Sequence, residues 1–167
     1  MQQTEREYRS VIARCQDIFT KKNQDYGPSW RILQRIRTIQ EKGFSKVQEG
    51  EVPEFIGIIN YCVMALIQSE LGDDRRTDFT ADQLTDMYNA QMQEVIELLF
   101  NKNHDYGEAW RDMRVSSMTD IILMKLFRIK QIEDNEGKTV ISEGVKAGYQ
   151  DIINYSVFCL IKLGIAE

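Results

Sequence analysis

Apolar residues recur at three- and four-residue spacing over several long stretches of the chain, and this period predicts amphipathic α-helices. Thr80 and Gln83 have the spacing of a capping box, which starts a helix. Alternation of apolar and polar residues is nowhere convincing, so strands are not expected. The pattern therefore predicts an all-α protein. Its expected helices are about Thr4 to Lys22, Glu54 to Glu70, Thr80 to Lys102, Thr119 to Asp134 and Val145 to Leu163. The Asn-x-Asp-Tyr-Gly segment is expected to end the first and the third of them, because Asn and Gly tolerate the conformation of a helix stop.

The stretch from Thr119 to Asp134 differs from the others because its apolar residues lie on almost every side of a helix. A helix that is apolar all round is expected in the middle of a core. The pattern therefore predicts that this helix is central and buried.

Two parts of the sequence occur twice in the same order. Lys21 to Arg31 returns 80 residues later as Asn101 to Arg111, and Ile58 to Tyr61 returns 94 residues later as Ile152 to Tyr155. Preserved order indicates a tandem duplication. We expect a helical bundle of two diverged repeats packed as one compact body, with an N-terminal repeat at 1–72, a linker at 73–79 and an intact C-terminal repeat at 80–167.

The change of spacing from 80 to 94 means that the first repeat is 14 residues shorter. The alignment puts most of the shortfall just after Leu33, opposite the stretch that holds Ser116, Ser117, Asp120 and Lys125. Sequencing the encoding gene would distinguish a true deletion from a gap in the recorded sequence.

Charge and cysteine content exclude several classes of function. A net charge of −5 and a pI near 5.1 give no general attraction to nucleic acid polymers or to anionic membranes, so any phosphate must be bound by a few placed cations. Cys15, Cys62 and Cys159 are odd in number and form no CxxC, which favours core residues over a disulfide framework or a zinc site. The N-terminus has no hydrophobic signal region, and a cytoplasmic location is expected.

Four polar residues interrupt the two most apolar helices of the C-terminal repeat. Lys125 and Arg128 share one helix face, and Asp151 and Asn154 share a face of the next helix. One interpretation is a salt bridge that holds two helices in register. The other is a pocket in which the two cations bind phosphate oxygens while Asp151 holds a metal ion, a water or a hydroxyl. Both remain open, because empty pockets are commonly bridged by their own charges.

The repeated segment contains a carboxylate, two aromatic rings and a guanidinium within a few residues. Tyr106 and Trp110 could stack a nucleobase, with Asp105 and Arg111 beside them. Alternatively, the two aromatic residues close the end of the bundle.

Glu94 and Glu97 form an E-x-x-E at helical spacing, and carboxylate oxygens are the ligands that Mg²⁺ prefers. The alternative is an ordinary acidic pair on a solvated face. The chain has no phosphate-binding loop, no Ser-His-Asp set and no dinucleotide fingerprint.

The C-terminal repeat contains three motifs, which read Lys102-Asn103-x-Asp105-Tyr106-Gly107-x-x-Trp110, Lys125-x-x-Arg128 and Asp151-x-x-Asn154-Tyr155. As a set they resemble the nucleotide-modification-associated domain, a family of unknown function from bacteria and phages. The resemblance covers the C-terminal repeat throughout and the N-terminal repeat in part. It implies a setting in the metabolism of modified nucleotides.

More distantly, the helix around Asp151 resembles that of the MazG-like all-α nucleotide pyrophosphatases. Those enzymes hold Mg²⁺ with an E-x-x-E on one helix and an E-x-x-D on a later one. Here Asp151 matches the last acid, but Gly148 stands in place of the preceding Glu, and Gly57 matches Asp151 in the first repeat. The resemblance implies metal-dependent hydrolysis, and these departures argue against it.

We therefore expect a nucleotide-binding helical protein, with pyrophosphohydrolase-like chemistry as one option and a non-enzymatic structural or interaction module as the alternative. The partner would be a small nucleotide, and an assembly of several chains stays open. The expected roles are phosphate binding by Lys125 and Arg128, contact with base or sugar by Tyr106 or Trp110, further ligand contacts by Arg111 and Asn154, catalysis by Asp151 and Asp105, and Mg²⁺ binding by Asp151, Glu94 and Glu97.

Overall fold

The computed structural model of the chain describes residues 2–26, 51–72, 79–106, 108–135 and 144–166, with side chains outside the description at 22–26 and 102–106. Within these residues every regular element is helical, which confirms the all-α prediction. The elements are α1 (Gln2–Tyr26), α2 (Glu51–Leu71), α3 (Ala81–Tyr106), a short 3-10 helix (Ala109–Asp112), α4 (Val115–Asp134) and α5 (Val145–Lys162).

Helix boundaries follow local sequence features. The Thr80 amide donates to Gln83 Oε1 at 2.9 Å, and the Gln83 amide donates to Thr80 Oγ1 at 3.1 Å, so the predicted capping box starts α3. α5 ends at Lys162, and Gly164, with a φ of 78°, turns the chain just beyond it, where the Gly164 amide donates to the Ile161 carbonyl and the Ile165 amide to the Leu160 carbonyl. Both α1 and α3 end within the repeated Asp-Tyr-Gly segment, as predicted.

α5 is the central helix of the bundle. It packs most extensively against α4 and α2, and it also contacts α1, α3 and the 3-10 helix. Its residues Ile153, Val157, Cys159 and Leu160 are fully buried in a single core to which all five α-helices contribute. α2 is long and apolar enough to cross a membrane by length and composition alone, and much of it is buried in this core.

α4 lies at the edge of the described bundle, and the prediction that it is central and buried is wrong. Among the residues that the structure describes, only one side of α4 packs extensively, against α5. On the other side Leu123, Met124 and Phe127 are 46%, 62% and 64% exposed. Apolar residues of α4 therefore lie on two faces of the helix, one packed against α5 and one in contact with solvent.

Corresponding residues of the two repeats make corresponding hydrogen bonds. Tyr8 on α1 donates to Asn154 on α5, and Tyr88 on α3 donates to Asn60 on α2, both at 2.8 Å. Tyr8 and Tyr88 are related by the 80-residue spacing, and Asn60 and Asn154 by the 94-residue spacing. Each bond thus joins one repeat to the other, so the two repeats share their interior.

The three cysteines are free and buried, which confirms their prediction as core residues. Burial raises the pKa of the Cys15 thiol to about 12 and that of Cys159 to about 11. Two predictions concern residues outside the described ranges: the shortened stretch after Leu33, and most of the linker at 73–79.

Candidate functional site

Lys125 on α4 and Asp151 on α5 form an ion pair between the two helices. Lys125 Nζ lies 2.8 Å from Asp151 Oδ2, and each side chain is 26% exposed. The pair is therefore shielded on one side and open to water on the other. The structure brings together two of the charges that the sequence singled out, in a partly exposed ion pair between two helices.

Arg128 lies almost one helical turn beyond Lys125 on α4, and its side chain is exposed. Positions three apart on a helix point in similar directions, so the two cations border the same stretch of surface. Arg128 is thus not buried among apolar groups, which differs from the expectation for this helix.

Gly148 explains why α4 and α5 can lie so close beside this pair. A Cβ built at Gly148 would fall 2.8 Å from Ile129 Cγ1, a distance that real Cβ atoms essentially never show. In the MazG-like pattern this position carries a metal-binding Glu. Here the space for such a side chain is filled by Ile129 of α4.

Trp110, on the 3-10 helix, is only 5% exposed. Its indole stacks on the Phe158 ring with centroids 4.4 Å apart and planes 7° apart, and the Arg111 guanidinium carbon lies 4.4 Å from the indole centroid. Protein groups therefore cover this ring. Of the two interpretations of the aromatic pair, Trp110 fits closure of the bundle, and a base could stack on it only after a rearrangement.

Arg111 is held by a network that joins the 3-10 helix to the start of α1. Its Nη2 donates to Glu7 Oε2 at 2.6 Å and to Thr4 Oγ1 at 2.7 Å, and its Nε donates to Glu108 Oε2 at 2.7 Å. Thr4, which is fully buried, donates in turn to Glu108 Oε1. With these partners Arg111 fixes the position of the segment that precedes α4.

This network also changes the acidity of its carboxyl groups. The hydrogen bond from Thr4, followed by that from Arg111, lowers the pKa of Glu108 from 4.5 to about 2. Burial by itself would raise the pKa of Glu7, but hydrogen bonds from Arg111 and Gln3 outweigh it and lower the pKa. Both carboxylates are thus charged near neutral pH, where they pair with Arg111.

Asn154 is turned towards the first repeat. Its Oδ1 accepts the hydrogen bond from Tyr8, and the side chain is half-buried. Asn154 therefore shares a face of α5 with Asp151 but already has a partner within the bundle.

The two acids of the E-x-x-E motif have separate surroundings. Glu94 pairs with Lys146 of α5 at 2.8 Å and accepts a hydrogen bond from Gln150 at 3.3 Å. Glu97 is exposed and accepts a hydrogen bond from Gln93 at 2.8 Å. Within the described part of the chain, no three His, Cys, Asp or Glu side chains lie close enough together to hold a metal ion.

Asp105 and Tyr106 form the end of α3, immediately before the segment that leads to Trp110. Their side chains lie outside the described residues, so their predicted roles stay predictions.

Sequence reasoning missed the partners of the predicted residues: Tyr8 for Asn154, Phe158 for Trp110, and Thr4, Glu7 and Glu108 for Arg111. One feature could have revealed Tyr8, because Tyr88 repeats it at the 80-residue spacing. The repeat does not indicate Thr4 in this way, because Leu84 occupies the corresponding position in the second repeat.

Comparisons with known proteins bear on the whole chain. Neither the curated proteins nor the solved structures gave a match. The family described as nucleotide modification associated domain 1 matches residues 22–69 and 102–163, two segments that agree with a tandem duplication. These segments make up more than half of the chain and include Trp110, Lys125, Arg128, Asp151 and Asn154. The chain therefore belongs to the nucleotide modification associated domain 1 family.

Proposed function

We propose that the protein binds a nucleotide through its phosphate groups at the surface where α4 meets α5, and that it serves the metabolism of modified nucleotides. The observation that carries the proposal is the Lys125–Asp151 ion pair, which is reachable from solvent and lies beside the exposed Arg128. The family description supports the nucleotide context.

A phosphate group suits this arrangement for a physical reason. An ion pair shielded on one side loses part of its hydration, and its mutual attraction only partly offsets that cost. A phosphate offers more acceptor oxygens than a carboxylate, and Arg128 can bind two of them at once. The phosphate would replace Asp151 as the partner of Lys125 and would draw in Arg128. Asp151 would then be left to accept a hydrogen bond from a hydroxyl, such as that of a ribose.

The proposal is one of binding rather than hydrolysis. The described residues do not fit a Mg²⁺ ion held by the protein, because Asp151 pairs with Lys125, Glu94 pairs with Lys146 and Ile129 fills the space beside Gly148. Mg²⁺ would instead arrive on the nucleotide, since it commonly stays bound to substrate phosphates and water. Catalytic roles for Asp151 and Asp105 stay predictions.

Tyr106 is the better candidate for the base. Trp110 is covered by Phe158 and Arg111, whereas Tyr106 belongs to the same repeated segment and ends α3. In this proposal Trp110, Arg111 and Asn154 position the site from within the bundle and do not touch the ligand.

The competing function is a structural or interaction module whose charges only fix helix register. The closed surroundings of Trp110 and Arg111 favour it, because they show two of the singled-out residues acting within the fold. It predicts that nucleotides have no effect on the protein.

Thermal unfolding with a panel of nucleotides separates the two functions. A ligand at about a hundred times its Kd adds about 2.7 kcal/mol, which raises the Tm of a chain of this size by about 5 °C or more. We expect at least one nucleotide to do so, with and without Mg²⁺. The Lys125→Met variant should lose the shift.

Lys146→Met is the matched control, because it removes another interhelical ion pair of 2.8 Å outside the site and should keep the shift. If no nucleotide changes the Tm, or if both variants respond like the parent, the binding proposal is wrong.

A further inference from the structure

The solvent side of α4 carries an exposed apolar surface. Leu123, Met124 and Phe127 lie within about one helical turn and are each more than two-fifths exposed. They face away from α5, which packs against Met118, Ile122 and Ile129 on the other side of the helix. Contiguous exposed apolar side chains of this size commonly mark an interaction site.

Polar residues continue this surface along the helix. Asp120, Met124, Phe127 and Gln131 follow one another at spacings of four, three and four residues, which is the spacing of a seam between two helices. All four are exposed, and Lys130 flanks the seam near its far end. The seam is therefore polar towards both ends and apolar in the middle.

The ends of α4 carry charges of the less favourable sign. Arg114 stands at the N-cap, while Glu133 and Asp134 lie in the last turn, and all three are exposed. A helix dipole favours acidic residues at the start and basic residues at the end. The charges of α4 are thus placed against its own dipole, and a second helix running the opposite way would compensate them.

We propose that α4 is a dimer interface, at which a second copy of this chain docks its own α4 in antiparallel orientation. Met124 of each copy lies opposite Phe127 of the other, a sulfur–aromatic contact made twice around a two-fold axis. In this register Asp120 of one copy lies opposite Gln131 of the other, beside Lys130, and Glu133 and Asp134 approach the start of the opposing helix. The inference does not depend on nucleotide binding.

Charge complementarity selects the orientation. A parallel pair would place Asp120 against Asp120 and Lys130 against Lys130, and like charges across an interface weaken it. The antiparallel pair replaces both repulsions with attractions. Because the apolar part consists of three side chains per copy, the interface is a small one, and we expect a weak, concentration-dependent dimer.

Analytical ultracentrifugation of the full chain over a range of concentrations tests the interface. The parent should move from monomer to dimer as concentration rises. Phe127→Glu should raise the dimer Kd by about a hundredfold or more, because two buried rings are lost per dimer. Leu98→Glu is the matched control, because Leu98 is 38% exposed on α3, outside this surface, and its dimer should persist.

A charge exchange tests the orientation. Asp120→Lys and Lys130→Asp should each weaken the dimer, and the double variant should restore it, since the opposite charges then meet again. Circular dichroism checks that each variant is folded. A protein that stays monomeric at every concentration, a dimer that survives Phe127→Glu, or a double variant no stronger than the single ones would overturn the proposal.

Discussion

The hydroxyl of Tyr8 donates a hydrogen bond to Asn154 Oδ1 across 2.8 Å, which joins the first helix of one repeat to the last helix of the other. The Tyr88 hydroxyl makes the corresponding bond to Asn60, whose amide also donates to the Cys15 carbonyl at 3.1 Å. Asn60 is thus tied to two helices at once. Because of these bonds between the repeats, we expect neither repeat to be stable alone, since each would then contain buried polar groups without partners.

Removal of these hydroxyls should destabilise the fold unequally. We expect Tyr88→Phe to cost about 1 to 3 kcal/mol, because it leaves the buried Asn60 oxygen unsatisfied, and Tyr8→Phe to cost less, because the half-buried Asn154 can turn to water. Urea unfolding measures both. Tyr155→Phe is the control, since Tyr155 contacts Phe158 with its ring, and it should be nearly neutral. Equal losses for all three would contradict this explanation.

The Glu108 network predicts a dependence of stability on acid. The pKa of Glu108 in the folded protein, about 2, lies below its ordinary value of 4.5. The contribution of Glu108 to the free energy of unfolding is therefore complete above pH 4.5 and is lost as pH falls towards 2. Urea midpoints should therefore drop over this range in the parent. Glu108→Gln should be less stable near neutral pH and should show a shallower fall.

Glu5→Gln is the matched control for this acid dependence, since Glu5 pairs with Arg9 on the exposed face of α1. Its acid profile should follow that of the parent. If Glu108→Gln and the parent lose stability in parallel between pH 4.5 and 2, Glu108 is not the group responsible.

Two helical glycines should respond in opposite directions to the same substitution. Gly148→Ala places a methyl group 2.8 Å from Ile129 Cγ1 and should cost about 1 to 3 kcal/mol, because α4 and α5 must separate. Gly57→Ala meets only Tyr61 Cε2 at 4.0 Å and should stabilise α2 by about 0.5 to 1 kcal/mol. Thermal and urea unfolding measure both changes. A Gly148→Ala variant as stable as the parent would contradict the close approach of α4 and α5 at this residue.

Much of the fold was predictable because it depends on local patterns. The capping box at Thr80 and Gln83 and the helix ends at Tyr26 and Tyr106 need only neighbouring residues. The pairing of Lys125 with Asp151 was also predictable, since two charges in apolar helices favour a common position. These features are set by short-range chemistry.

The position of α4 was not predictable from its apolar content, because the exposed face of this helix is apolar as well as the buried one. The sequence did contain one signal of the exposed side. The polar residues Asp120, Arg128 and Gln131 lie on the side of α4 that also carries Leu123, Met124 and Phe127. The surroundings of Trp110 and Arg111 depend on α1, more than a hundred residues earlier, and on α5. Their contacts follow from the packing of distant helices, which spacing along the chain does not encode.

Titration calorimetry with the nucleotide that most raises the Tm is the most direct test of the proposed binding site. We expect one nucleotide per chain, because Gly57 replaces the counterpart of Asp151 in the first repeat. We also expect affinity to fall tenfold or more, about 1.4 kcal/mol, in Lys125→Met and to stay unchanged in Lys146→Met. No heat of binding with any nucleotide, or equal affinity in both variants, would contradict the proposal that Lys125 binds the phosphate.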